Sequence, residues 1–208
     1  MSIKVIVAGV GGRMGKRIAQ IISETGGIDL SGGTEVKGSV LVGKDLGHVT
    51  GTGNNSINIS DKMEEIINSG DVIIDFTTPE ATMENLKAAA SNKKDMIIGT
   101  TGLSNEHLNE IKKVSQNIRI VQAPNMSVGV NVLFKLIKEA AAALNDGYDI
   151  EITEAHHRFK KDAPSGTATR IAEILAKVTN RDIDKVGVYG RKGMIGERSG
   201  QGIGVHVI

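Results

Sequence analysis

The sequence predicts an α/β protein in which an N-terminal Rossmann-like, doubly wound parallel sheet precedes a second, smaller α+β domain. Three observations carry this. Short apolar runs alternate with amphipathic segments through the first half of the chain. A glycine-rich turn, Gly9, Gly11, Gly12 and Gly15, directly follows the first apolar run. Beyond Asn125 the pattern changes to one long helical period, then a strand, a helix and a glycine-rich stretch. The division is expected at 1–127 and 128–208.

In the first part, residues 3–8 form the opening strand. Met14, Ile18, Ile21 and Ile22 recur at helical spacing, and Gly26 with Gly27 supplies the stop. Residues 28–35 read as the second strand and 37–58, rich in Gly, Thr and Asn, as mainly mobile loop. A helix at 61–68 leads to a short continuous apolar strand at 71–76, as in a sheet covered on both faces. Thr78 is a hydroxyl cap and Pro79 a first-turn proline, so a helix runs from there towards Ser91. Strands at 96–98 and 118–122 flank a helix at 104–115. In the second part, Leu133, Phe134, Ile137 and Leu144 trace one face of a long helix. A strand at 148–155, a helix at 165–178, a glycine-rich loop at 190–204 and a strand at 205–208 follow.

Composition bounds the function classes. The 208 residues are 39% hydrophobic and 24% charged, the balance of a packed globular chain. With 25 basic and 24 acidic residues the formal charge is +1, so no global field draws the chain to nucleic acid or an anionic membrane, and an anion site must be a local cluster. The absence of cysteine removes disulfides, thiolate metal sites and cysteine nucleophiles, and fits a cytoplasmic setting. The N-terminus lacks the regions of a signal peptide, and no apolar run reaches membrane-spanning length.

The glycine turn sits between the first strand and first helix, where backbone amides approach a pyrophosphate without Cβ atoms in the way. Met14 occupies the last glycine position of the usual fingerprint, so a purely structural turn stands as the other reading. Glu35, at the end of the second strand, is placed to accept hydrogen bonds from ribose hydroxyls. Val36 follows it rather than an arginine, and Lys37 is a point charge, which leaves NADH or NADPH open. Gly99, Thr100 and Thr101, then Ala123, Pro124, Asn125 and Met126, lie at later strand ends where ligands of such folds sit.

His156, His157, Arg158, Lys160 and Lys161 put five basic residues within six positions. Most charge runs are solvated loops. Here, however, Pro164 leads into Ser165, Gly166 and Thr167 at a helix start, whose free amides favour an anion, so two carboxylates could be held together. A histidine among cations is reprotonated by a bound dianion, which makes His156 or His157 a general-acid candidate. His48, His107 and His206 lack such company and read as surface or packing residues, and no His/Asp/Glu spacing makes a metal site.

Residues 7–15 (VAGVGGRMG), 75–80 (DFTTPE), 99–102 (GTTG), 123–131 (APNMSVGVN) and 154–167 (EAHHRFKKDAPSGT) together resemble the 4-hydroxy-tetrahydrodipicolinate reductase (dihydrodipicolinate reductase) family. The resemblance covers nearly the whole chain, and its last motif is the most specific. It implies reduction of a small cyclic dicarboxylate with NADH or NADPH on the diaminopimelate route to lysine, in a cytoplasmic homotetramer. It implies His156 as proton donor and Lys160 as second catalytic cation, with His157, Lys160, Gly166 and Thr167 contacting substrate. Gly9, Val10, Gly11, Gly12, Arg13, Met14, Glu35, Gly99, Thr100, Thr101, Ala123, Pro124, Asn125 and Met126 match its cofactor positions.

Three departures from the family pattern stand out: Phe159 replaces a histidine of some members, Val36 replaces a frequent arginine, and family members normally continue beyond the region matching Ile208. The second leads to the expectation that NADH is used at least as well as NADPH. The third leads to the expectation of a C-terminally truncated substrate domain. A non-catalytic dinucleotide sensor and another amino-acid-pathway dehydrogenase are the competing readings.

Overall fold

In the computed structural model, residues 2–144, 147–160 and 163–208 are described. They divide into two compact units, Met1–Ala123 and Pro124–Ile208.

The first unit is built on a five-stranded, fully parallel sheet. Its strands are β1 (Ile3–Ala8), β2 (Ile28–Thr34), β3 (Val72–Asp75), β4 (Asp95–Ile98) and β5 (Ile120–Gln122), in the order β2-β1-β3-β4-β5. Helices α1 (Arg13–Glu24), α2 (Leu46–Thr50), α3 (Met63–Ile66), α4 (Pro79–Ser91) and α5 (Asn105–Val114) connect them. Alternation along β1 explains the two layers. Ile6 and Ala8 face a core with Leu86 and Ala89 of α4 and Ile111 of α5, whereas Val5 and Val7 face Ala19 and Ile22 of α1 and Leu46 of α2. The chain reverses direction across the sheet between β1 and β3, and ligands of open α/β sheets bind at the strand ends beside such a reversal.

Several expectations hold closely. Helix α4 begins at Pro79 with the Thr78 hydroxyl accepting from the Ala81 amide. Helix α5 is closed by a capping box in which Ser104 and His107 exchange bonds, so His107 is a structural cap.

Others need correction. The 37–58 stretch is mainly turn and coil, as expected, but it holds the short helix α2 and an apolar anchor that the loop reading did not include. Asp45 caps α2 through the His48 amide, Leu46 is fully buried, and single bridges join Asp45 to Asn58 and Thr34 to Ser60. The expected helix at 61–68 is only α3 followed by a 3-10 turn, Ile67–Ser69. Met14 and Ile21 are 50% and 45% exposed, because the inward stripe of α1 runs through Gly15, Ala19 and Ile22. At 100° per residue those two positions fall to the side of it.

The second unit contains α6 (Val128–Leu144), β6 (Ile150–Glu154), α7 (Gly166–Val178), α8 (Ile183–Val186), β7 (Gly187–Tyr189) and β8 (Ile203–Val207). Its sheet, β6-β8-β7, is parallel throughout. Ala168, Ala172 and Ala176 of α7 pack on Ile152, Ile203 and Val205, the small residues letting the helix lie close to the strands. The sequence reading missed α8 and β7, which are too short for periodicity to register. The expected inward face of α6 is also corrected: Leu133 and Leu144 are 43% and 49% exposed, and Ala141 is its buried position. Among the described residues, no helix is long and apolar enough to cross a membrane.

Candidate active site

The first unit carries the glycine cradle. Gly9 has φ +65°, in the left-handed region, and the Gly12 amide returns to its carbonyl at 3.0 Å. A Cβ on Gly15 would lie 2.2 Å from the same Gly9 oxygen, so the start of α1 approaches the turn as only glycine permits. Gly12 caps α1 without a side-chain acceptor, which leaves the first-turn amides facing outward at the positive end of the helix dipole.

A cavity of about 900 Å³ opens here, lined by Gly9, Gly11, Gly12, Glu35, Lys37 and Thr77 among others. Glu35 Oε1 accepts from the Gly11 amide at 2.7 Å, which joins the acidic residue directly to the turn. Val36, beside it, lines the same cavity. The Val10 side chain is fully buried, so that residue offers only backbone.

Across the sheet reversal, Asp75 organises the loops that follow β3 and β4. It is fully buried. Its Oδ1 accepts from the Thr77 amide at 2.9 Å and the Thr77 hydroxyl at 2.6 Å, with longer bonds from Thr82 at 3.2 Å and Thr100 at 3.3 Å. Its Oδ2 accepts from Asn85 Nδ2 at 2.8 Å. Thr100 is thus a buried member of this network, and Gly99 packs under the Phe76 ring. The sequence reading placed Thr100 at a strand end and noted Asp75 only within the 75–80 motif, giving no role to it, Thr82 or Asn85. The available signal was an acid closing an apolar run and followed by hydroxyl residues.

The second unit carries the cationic segment. Glu154, the last residue of β6, receives the Ser165 amide on Oε1 at 2.6 Å and the Ser165 hydroxyl on Oε2. His156 Nε2 lies 2.9 Å from the same Oε2. Burial alone pushes the Glu154 carboxyl up, but the bonds from Ser165 and then His156 together outweigh it and hold the carboxyl below its ordinary value. One carboxylate therefore links the imidazole to the start of α7.

There Ser165 caps the Ala168 amide at 3.1 Å, leaving the Gly166 and Thr167 amides as first-turn donors. Asn125 Nδ2 donates to Thr167 Oγ1 at 3.3 Å, so an expected cofactor residue and an expected substrate residue are in contact. His157 Nδ1 accepts from the Phe159 amide, and the Arg158 guanidinium sits 4.8 Å from the Phe159 ring centre. Phe159 thus serves as a platform for a neighbouring cation. The Lys160 amide donates to the His157 carbonyl at 3.1 Å, whereas Lys161 lies outside the described residues.

His206 is a further correction. It does not stand alone: its Nε2 is 2.7 Å from Glu151 Oε2, beside Arg191. Among the described residues no group of three His, Cys, Asp or Glu side chains is arranged to hold a metal.

The first unit's architecture and cradle are those of the Rossmann-type, NAD(P)-binding oxidoreductases, and a solved amine dehydrogenase from Mycobacterium smegmatis shares the fold. It aligns at TM-score 0.62 and 13% identity, over 85% of this chain and 62% of that one. The dihydrodipicolinate reductase family models match more specifically, the N-terminal one at residues 3–126 and the C-terminal one at 129–208. The 4-hydroxy-tetrahydrodipicolinate reductase of Syntrophus aciditrophicus is 49% identical over 206 residues, which is 99% of this chain and 77% of that protein. That of Desulfotalea psychrophila is 49% identical over 205 residues, 99% of this chain and 76% of that one. A dipicolinate-bound dihydrodipicolinate reductase from Paenisporosarcina sp. TG-14 aligns at TM-score 0.71 and 26% identity, over 100% of this chain and 78% of the other. The chain belongs to the dihydrodipicolinate reductase family.

Proposed function

We propose that this chain reduces 4-hydroxy-tetrahydrodipicolinate to tetrahydrodipicolinate with a nicotinamide nucleotide, NADH or NADPH, on the diaminopimelate route to lysine. The observation that carries the reading is the bridge at Glu154, which sets the His156 imidazole one carboxylate away from the open amides at the start of α7. A proton donor and an anion-binding helix end thus stand on one body. Functionally we divide the chain at 127/128, between the two family segments.

The cradle fits a dinucleotide: Gly9 lines the cavity without a Cβ, Gly15 lets the start of α1 close on the turn, and α1 presents uncapped amides. The nucleotide supplies hydride when bound. Arg13 and Met14 offer first-turn amides to its phosphates, and Gly9, Val10, Gly11 and Gly12 shape the turn around them, the last three with their own amides bonded to Thr34, Glu35 and Gly9. Glu35 takes the ribose hydroxyls, and Gly99, Thr100, Thr101 and Ala123, Pro124, Asn125 and Met126 position the reactive end. His156 donates a proton to the substrate. Lys160 is a fixed positive charge against the developing negative charge, and His157, Gly166 and Thr167 hold the carboxylates. Without an arginine at position 36, no guanidinium fork meets a 2′-phosphate, so NADH serves at least as well as NADPH. A cytoplasmic homotetramer is part of the same proposal, and light scattering measures the assembly.

The test is nicotinamide oxidation with the cyclic substrate beside aspartate semialdehyde. Turnover is expected with the first alone. H156N and K160A lower kcat about 100-fold or more while cofactor affinity stays within about twofold. Full turnover in both variants would refute the site, and a tenfold preference for NADPH would refute the reading of position 36.

A further inference from the structure

We infer that Glu154 is a positioning residue for this reaction: its carboxylate grips the His156 imidazole at Nε2, leaving Nδ1 as the ring nitrogen that exchanges a proton with the substrate. The inference rests on the reading of His156 as proton donor.

Glu154 stands where little can shift. Its carbonyl accepts from the Ile208 amide at 2.9 Å, and the His156 amide donates back to the Ile208 carbonyl at 2.9 Å, so the backbone on both sides of Ala155 is paired. Its side chain is 13% exposed, against 30% for His156. Both oxygens are used: Oε1 by the Ser165 amide, Oε2 by the Ser165 hydroxyl and His156 Nε2.

A carboxyl held below its ordinary value is ionised at neutral pH and only accepts. His156 Nε2 must then be the donor. When the imidazolium gives up its Nδ1 proton, the N–H electron pair stays on Nδ1, and the product is the neutral Nε2–H ring that Glu154 already holds. Solvent then returns a proton to Nδ1. The charged group in contact with this ring is Glu154 on β6; His157, Arg158 and Lys160 follow in the next loop of the chain, and α7 opens with the uncharged Ser165, Gly166 and Thr167.

The experiment is nitrogen NMR of the histidine rings of the whole chain, with His156 assigned by its loss in H156N, combined with steady-state kinetics of E154Q. In the parent the neutral His156 ring is expected as the Nε2–H tautomer. E154Q weakens that preference and lowers kcat about 10- to 100-fold, with KM and cofactor affinity within about threefold. Added to H156N, the same substitution costs less than about twofold, because Glu154 acts through the imidazole. A parent ring found as the Nδ1–H tautomer overturns the inference, whatever the fate of E154Q. So does an E154Q enzyme with unchanged kcat beside an inactive H156N. An active H156N instead sinks the underlying reading of His156, which keeps the two failures apart.

Discussion

Replacing Asp75 tests whether a buried carboxylate holds the loops above the nucleotide cradle. Five donor groups converge on it, and two of them cannot turn elsewhere: the Thr77 amide at 2.9 Å and Asn85 Nδ2 at 2.8 Å. The hydroxyls can regroup, because Thr82 already donates to Thr100 at 2.7 Å and Thr77 lies 3.5 Å from Thr82. Asp75→Ala therefore leaves two part-buried donors without a protein acceptor; both residues line the open cavity, where water reaches them, so each costs about 1 kcal/mol, and with the small void left behind the total is about 2–4 kcal/mol. For a chain of this length that lowers Tm by roughly 5 to 12 °C.

Asp75→Asn is different. Its oxygen can keep the Oδ1 partners while its new amide faces Asn85, whose own amide can flip to accept, so the cost is about 1 kcal/mol. The chain has no tryptophan, so far-ultraviolet circular dichroism is the suitable thermal assay. The reasoning is refuted if D75A melts within about 3 °C of the parent, or if D75N falls as far as D75A. Because Thr77 Cγ2 lies 2.8 Å from where a Gly9 Cβ would stand, D75A is also expected to weaken dinucleotide binding.

The second unit should lose stability in acid through Glu151. Its carboxyl is pushed down from 4.5 to about 2, chiefly by the Arg191 hydrogen bond and against burial, with His206 adding to it. A depressed folded value means the contribution is complete above the ordinary carboxylate range and disappears as pH falls towards 2. Urea unfolding at about pH 5 and about pH 3 should show that loss in the parent and a flatter response in E151Q; equal slopes would contradict it. The side chain is 30% exposed, so added salt should shrink the effect. At the cradle, Gly15→Ala meets the Gly9 carbonyl at 2.2 Å and should cost at least tenfold in nucleotide affinity, measured by calorimetry. Gly26→Ala, with nothing within 4 Å of the added Cβ, should leave that affinity alone; similar behaviour of the two variants would rule out the cradle's close approach as the cause.

The amino-acid order by itself determined the elements whose signals are local. The start of α4 follows from Thr78 and Pro79. The two faces of β1 follow from alternation, and the turn at Gly9 from its place between strand and helix. The motif at 154–167 was legible for a similar reason, since its chemistry is concentrated in one short run. Tertiary structure alone decided the rest. Asp75 meets Thr100 from twenty-five positions away, and His206 meets Glu151 from fifty-five. Leu46 is buried inside what reads as a loop, while Met14 and Ile21, apolar and correctly spaced, remain half exposed. Hydrophobic period and cap chemistry act within a turn or two of chain. Which polar groups lose water together is set only when distant strands and helices close on one another, and at that point Glu154 acquires both Ser165 and His156 as partners.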